Sequence, residues 1–130
     1  MTKPLASRLQ LEPGERITIL DAPPEASGFL EGIDVAEGRS AGAVLAFARD
    51  SAAVRAHSRA IADVAADPEG LAWIAYPKRS SGVETDLTRD QGWEPLTEAG
   101  LRPVRQIALD ETWSALRFRR AEDVGSRSSA

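Results

Sequence analysis

Cysteine is absent from this chain of 130 residues, and His57 is its only histidine. The missing thiols exclude disulfides, thiolate metal sites and a cysteine nucleophile. One histidine is too few for a histidine-rich metal site or a catalytic histidine pair. A bound metal would therefore have to rely on carboxylates.

The chain also lacks an excess of positive charge and a long apolar run. Its 16 Lys and Arg residues stand against 20 Asp and Glu residues, which gives a net charge of −4. Nucleic acids and anionic membranes recruit clustered positive charge, so neither is expected as a chain-wide partner. No run approaches the roughly 18 apolar residues of a membrane span, and residues 1–16 hold no apolar segment of signal-peptide length. We predict a cytoplasmic protein.

What is present has the composition of a globular domain. The chain is 42% hydrophobic and 28% charged, a balance typical of folded rather than disordered proteins. Its length is sufficient to bury a core. We predict one α/β domain over residues 1–120 and a disordered tail over 121–130, which ends in "GSRSSA".

Apolar and β-branched runs predict the strands. "AGAVLAFA" and "LAWIAY" are continuous apolar runs, which are typical of central strands covered on both faces. The three residues "DET" between the last two predicted strands allow only an antiparallel hairpin. The predicted strands are 16–20, 41–48, 71–76, 104–109 and 113–119, with a short edge strand at 33–35.

Helical segments separate most of these strands. The predicted helices are 4–10, 25–31, a longer one from Asp50 or Ser51 to about 66, and 90–99, which ends at Gly100. Trp93 and Leu96 face inward on the last of these. Strands that alternate with helices predict a mostly parallel sheet with right-handed crossovers, closed by the antiparallel hairpin.

The order strand, helix, strand, helix and closing hairpin resembles the C-terminal half of class I S-adenosylmethionine-dependent methyltransferases. The resemblance covers most of residues 16–119 and implies a truncated Rossmann-like sheet. The family's first strand leads into a glycine-rich turn, whereas "DAPPE" (21–25) follows the first strand here. Proline removes amide donors and fixes φ, so this turn does not suit close approach to a cofactor. The family's ribose-binding acid also has no clear counterpart, Asp34 and Glu37 being candidates by proximity only. We predict no cofactor.

Three other stretches are similar to a family of small bacterial proteins known only as a domain of unknown function. They are "LEPGERITILDAP", "AYPKRSSGVETDLTRD" and "LDETWSALRFRR". This resemblance implies a fold and no established activity.

A ligand site is expected where the parallel strands end, because open parallel sheets bind ligands beyond the carboxyl ends of their strands. The long polar loop 77–90 follows the strand 71–76, and the turns 21–24 and 49–51 follow the two strands before it. If the strand 104–109 also runs parallel, the turn 110–113 lies next to the loop 77–90. The candidate ligand-binding residues are Lys78, Arg79, Ser80, Ser81, Thr85, Asp86, Arg89, Asp90 and Trp113.

Two interpretations compete for Lys78 and Arg79. Cations followed by hydroxyls and glycine are typical of an anion site. The alternative, which we favour, is internal ion pairing, because the charges of the loop cancel. The acidic partners for such pairing would be Asp86, Asp90, Asp110 and Glu111.

The remaining candidates also have structural explanations. Thr85, Asp86 and Asp90 precede a helix and are typical capping residues, as is Thr88. Asp86 and Asp90 without a third ligand do not define a cation site, so we predict no metal. Trp113 could stack on a ligand, but a packing role is favoured. His57 is expected at the core boundary, and Ser80 and Ser81 lack the context of a nucleophile.

The leading hypothesis is a non-catalytic binding or regulatory module whose partner is a small anion or a protein. The alternative is a transferase-like enzyme that binds a small anion or nucleotide through the loop 77–90. Self-association through the exposed face of the closing hairpin is a third hypothesis. The sequence leaves open whether any reaction is catalysed.

Overall fold

The computed structural model describes residues 5–12, 14–36, 42–67, 69–78, 82, 85–87 and 91–121. The helices are α1 (Leu5–Arg8), α2 (Ser27–Leu30), α3 (Ser51–Ala65) and α4 (Glu94–Thr97), with a 3-10 turn at Pro24–Ala26. The strands are β1 (Thr18–Leu20), β2 (Ala43–Phe47), β3 (Leu71–Pro77), β4 (Leu101–Ala108) and β5 (Trp113–Arg120). Of the predicted tail, only Ala121 lies within the described residues.

Within the described residues the strands form one sheet in the order β1-β2-β3-β5-β4. β1, β2 and β3 are parallel neighbours, and β5 runs antiparallel to both β3 and β4. β4 therefore points the same way as β1, β2 and β3. The predicted fold class, an α/β domain with a mostly parallel, Rossmann-like sheet and a C-terminal antiparallel hairpin, is confirmed.

The direction of β4 brings the turn after it to the carboxyl ends of the parallel strands. Pro77 at the end of β3 pairs with Trp113 at the start of β5. The backbone N–H of Lys78 donates to the carbonyl of Thr112 at 2.8 Å. The start of the polar loop and the closing turn are thus neighbours, as the sequence predicted.

Both faces of the sheet are covered, which explains why all seven residues of β3 are buried. Val54 and Ile61 of α3 and Leu96 of α4 pack on one face. Leu9, which follows α1, packs on the other face, where its carbonyl accepts the indole N–H of Trp73 at 3.1 Å. The continuous apolar run of β3 is what burial on both faces requires.

β4 and the predicted edge strand differ from the expectation. β4 begins at Leu101, three residues before the predicted start, and contains Pro103 and an irregularity in register between Pro103 and Arg105. Proline fits there because β4 is an edge strand, where a missing N–H need not break a ladder bond. The strand predicted over 33–35 is reduced to an isolated parallel bridge between Ile17 and Val35.

α3 begins and α4 ends as the residues dictate. Asp50 is the N-cap of α3, and its carboxylate accepts the N–H of Ala53 at 2.9 Å. α4 is much shorter than the predicted helix 90–99, and Gly100 follows it with φ +88°. Trp93 and Leu96 are buried, as predicted.

Candidate functional site

The turns after β1, β2, β3 and β4 meet at one end of the sheet, which we call the carboxyl edge. Of the predicted ligand-binding residues, the structure describes Lys78, Thr85, Asp86 and Trp113 at this edge. The predictions for Arg79, Ser80, Ser81, Arg89 and Asp90 fall outside the described residues.

Asp86 is bound to the first residue of α3. The backbone N–H of Ser51 donates to Asp86 Oδ1 at 2.8 Å, and the hydroxyl of Ser51 donates to Oδ2. Both hydrogen bonds lower the pKa of Asp86 below its ordinary value of 3.8, and the bond from the Ser51 hydroxyl has the larger effect. A carboxylate suits this position because the N-terminus of a helix attracts negative charge. The partner of Asp86 is therefore α3, not the helix that follows it in the chain.

The segment around Asp86 is docked on both of its flanks. The hydroxyl of Thr85 donates to the carbonyl of Arg49 and accepts the N–H of Leu87 at 3.1 Å. The side chain of Leu87 is fully buried in the core layer that holds α3 and α4. The segment 85–87, which we call the docked segment, therefore packs against the turn after β2.

A polar cavity of about 520 Å³ lies beside this contact. Its described lining consists of Asp50, Ser51, Ala52, Thr85 and Asp86. Asp50 and Asp86 already accept the amides of Ala53 and Ser51, the donors that an anionic ligand would use at a helix N-terminus. The cavity thus presents two carboxylates and, among its described lining residues, no cation.

A second cavity, of about 400 Å³, has the same electrostatic character. Glu12, Glu15 and Asp34 belong to its described lining, together with Ala6, Ser7, Leu11, Gly14 and Gly32. No lysine or arginine is among these lining residues. In their described lining, neither cavity has the composition of an anion site.

Trp113 packs into the core at the carboxyl edge. Its side chain is 1% exposed and meets Phe47 edge to face, with ring centroids 5.2 Å apart and planes at 77°. The guanidinium of Arg49 lies 5.7 Å from the centroid of the Trp113 ring and 3.2 Å from the carboxylate of Glu25. Among the described residues, no acceptor takes the buried indole N–H of Trp113. Trp113 is thus a core residue with one unsatisfied donor.

The carboxylate of Asp110 accepts its hydrogen bonds from within the closing turn. Asp110 Oδ1 accepts the N–H groups of Thr112 and Trp113 at 2.8 and 2.7 Å. Asp86 and Asp110 had both been expected as partners of Lys78 or Arg79 within an ion-pair network. The hydrogen bonds that the structure describes for these two carboxylates come from neutral donors.

His57 has an acidic neighbour that sequence reasoning missed. Its Nε2 atom lies 3.0 Å from Oδ2 of Asp21, and its side chain is only 11% exposed, which fits the predicted boundary position. The Nε2 atom forms no hydrogen bond within the described part of the chain, so the two groups are close neighbours and not a hydrogen-bonded pair. Asp21 follows β1 with φ +55°, a conformation uncommon for aspartate. The available signal was an acidic residue directly after the first strand.

The described residues contain neither a metal-binding cluster nor a membrane-spanning helix. No group of three or more histidine, aspartate or glutamate side chains is arranged to hold a metal ion within these residues. None of the helices in the described part of the chain is long and apolar enough to span a membrane.

The chain was compared with known proteins. No protein-family model matches it, and no curated protein matches it. Among solved structures it is similar to a protein in the NADB-Rossmann superfamily from Streptococcus agalactiae. The two chains are 10% identical, the match covers 92% of this chain and 68% of the other, and the TM-score is 0.43. A likeness this distant says nothing about what the chain binds.

Proposed function

We propose that this chain is a non-catalytic binding or regulatory module on a degenerate methyltransferase-like scaffold. The observation that carries the proposal is that the Asp86 carboxylate accepts hydrogen bonds from the backbone N–H and the hydroxyl of Ser51, the first residue of α3. In parallel α/β sheets a helix N-terminus after a strand is where phosphate groups of ligands bind. Here the chain's own carboxylate takes that place.

The turn after β1 supports the same proposal. Pro24 begins a 3-10 turn, and the N–H of Ala26 donates to the carbonyl of Pro23. Pro23 and Pro24 supply no amide donors, so this turn offers few groups to a cofactor. We also propose that the protein is cytoplasmic and that it belongs to the bacterial family of unknown function.

Calorimetry with S-adenosylmethionine, ATP and NAD tests the proposal. We expect no binding by the wild-type protein at any ligand concentration up to about 1 mM, which corresponds to a binding free energy near −4 kcal/mol. Micromolar binding of S-adenosylmethionine would overturn the proposal.

A variant makes the test specific to Asp86. Asp86→Ala frees the N–H and hydroxyl of Ser51, so inorganic phosphate should then shift the amide resonance of Ser51. The matched control is Asp63→Ala, which removes the same charge from an exposed position on α3. Phosphate should leave Ser51 unchanged in this control and in the wild type. A phosphate response in all three proteins would show that Asp86 does not occupy the site.

The unsatisfied indole of Trp113 favours a second candidate, a transferase-like enzyme that binds a small anion or nucleotide. A ligand oxygen could accept this N–H while Arg49 exchanges Glu25 for the ligand. Trp113→Phe keeps the aromatic packing with Phe47 and removes the donor, so this candidate predicts loss of ligand binding with the fold retained. Lys78→Ala should then also abolish binding. If it mainly lowers the melting temperature instead, the loop is structural.

A further inference from the structure

The closing hairpin carries a concentration of positive charge on a chain whose net charge is −4. In the β4–β5 ladder Arg102 is directly opposite Arg119, and Arg105 is directly opposite Arg117. Residues that face each other across an antiparallel pair project to the same side of the sheet. These four arginines therefore share one side of the hairpin, which we call the arginine face.

Arg117 illustrates the electrostatic cost of this arrangement. Its guanidinium donates to two neutral acceptors, Gln10 Oε1 at 2.7 Å and the carbonyl of Gly70 at 3.3 Å. Its pKa is lowered mainly by partial burial, and to a smaller extent by the positive charges of Arg119 and Arg105. Like charges opposite each other in a ladder are destabilising. A surface that gathers these guanidinium groups attracts acidic groups.

The outer side of β4 is open among the described residues. β4 is the last strand of the sheet, and positions 102–106 are exposed. They include Val104, which is 39% exposed and lies at the register irregularity. At the far end of β4, the guanidinium of Arg8 donates to the carbonyl of Ala108. An exposed edge strand offers backbone donors and acceptors to an added strand.

We propose that β4 and the arginine face bind an extended acidic segment of a partner protein, which adds to the sheet as a strand. The backbone of β4 on either side of Pro103 would supply the ladder, which is interrupted at Pro103 because proline has no N–H to donate. Arg102 and Arg105 would pair with acidic side chains of the segment. Val104 would provide an apolar contact between them.

A second copy of this chain fits the same edge poorly. Two-fold antiparallel pairing of two β4 strands would bring Arg102 and Arg105 of one copy close to the same residues of its partner. Such repulsion is a common means of preventing sheets from joining at their edges. Charge complementarity therefore favours an acidic partner over self-association.

The inference rests on the proposed function only in taking the partner to be a protein. The surface lies on the β4 edge, away from the contact of Asp86 with α3. The calorimetry above reports on the carboxyl edge, and the peptide experiment below reports on β4. Failure of one is therefore distinguishable from failure of the other.

The test uses the full chain and a fluorescent peptide of about eight alternating Glu and Val residues, a typical strand length. Fluorescence anisotropy should detect binding by the wild-type protein at low salt. Arg105→Glu should weaken binding by about tenfold or more, since it replaces attraction by repulsion. Arg59→Glu makes the same charge change at an exposed position of α3 and should leave binding unchanged. Thermal unfolding confirms that both variants are folded.

Two further measurements identify the mode of binding. Addition of the peptide should shift the amide resonances of Arg102 and residues 104–106, and a peptide with prolines at alternate positions should not bind because it cannot form a ladder. Equal binding of the proline peptide, or equal loss in Arg59→Glu, would show unspecific charge attraction and overturn the proposal. It is also overturned if no peptide binds, if binding requires removal of residues 122–130, or if sedimentation shows a wild-type dimer that Arg105→Glu dissociates.

Discussion

Leu87→Ala tests whether the docked segment is part of the folded core or a lid that stands ready for a ligand. Leu87 is fully buried in the core layer that holds α3 and α4, although it belongs to the long polar loop. A lid of a binding site has few buried apolar contacts and opens at little cost. If the docked segment instead holds Asp86 against α3, its detachment from the core should require a large free energy.

The expected magnitude follows from the buried atoms. The substitution removes three carbon groups, each of which contributes about 0.8 kcal/mol when buried. The cavity that remains adds to this loss, so we expect destabilisation by about 3 kcal/mol, within the range measured for buried leucines. For a domain of this size that is a decrease in Tm of roughly 10 °C.

Urea unfolding followed by circular dichroism measures this change in the free energy of unfolding. Val35→Ala is the control, because Val35 is an apolar residue that is 51% exposed, and its removal should change stability by less than about 0.5 kcal/mol. If Leu87→Ala lowers the free energy of unfolding no more than the control does, the docked segment is not anchored in the core.

Three further predictions concern the same region. Gly92→Ala should destabilise by about 2 kcal/mol in urea unfolding, because φ is +97° and the added Cβ would lie 2.3 Å from Leu87 Cδ2; an effect below about 0.5 kcal/mol would contradict this. Asp50→Ala should cost about 1 kcal/mol through loss of the α3 cap, while Asp50→Ser should retain most of it. Asp86 has a lowered pKa, so its contribution to stability is present above its unfolded-state pKa and is lost as the pH falls through its folded-state pKa. Wild type should thus be more stable than Asp86→Asn at neutral pH, and the difference should begin to shrink near pH 4 and vanish only below the folded-state pKa.

The sheet could be predicted because its central strands are apolar on both sides. The runs that became β2 and β3 have no polar position, which leaves burial on both faces as the simple solution. The hairpin followed from the short connection between its strands. β4 was underestimated because its first half is exposed and contains Pro103, so neither apolar alternation nor propensity marks it. Its ladder with β5 forms it instead.

The helix before β4 was overestimated for a local reason. Gly92 has φ +97°, and Trp93 at the N-cap position provides no side-chain hydrogen bond to the first turn. A helix cannot extend backward through such a pair. Pro95 lies in the first turn, where its missing N–H breaks no helical hydrogen bond, and the helix begins at Glu94.

The location of the candidate site could be predicted, but its contacts could not. The carboxyl edge follows from strand direction, and the cap by Asp50 follows from its place before α3. The contact of Asp86 with Ser51 depends on how the long loop folds back, which no local pattern specifies. The approach of His57 to Asp21 is likewise a contact between distant parts of the chain.

The position of Asp86 is tested most directly by an NMR titration of its carboxyl group. We expect a pKa below the ordinary value of 3.8 in the wild type. In Ser51→Ala, which removes the hydroxyl donor and keeps the amide, the pKa should rise toward that value. A wild-type pKa at or above 3.8, or one that does not respond to Ser51→Ala, would contradict the claim that Asp86 occupies the start of α3.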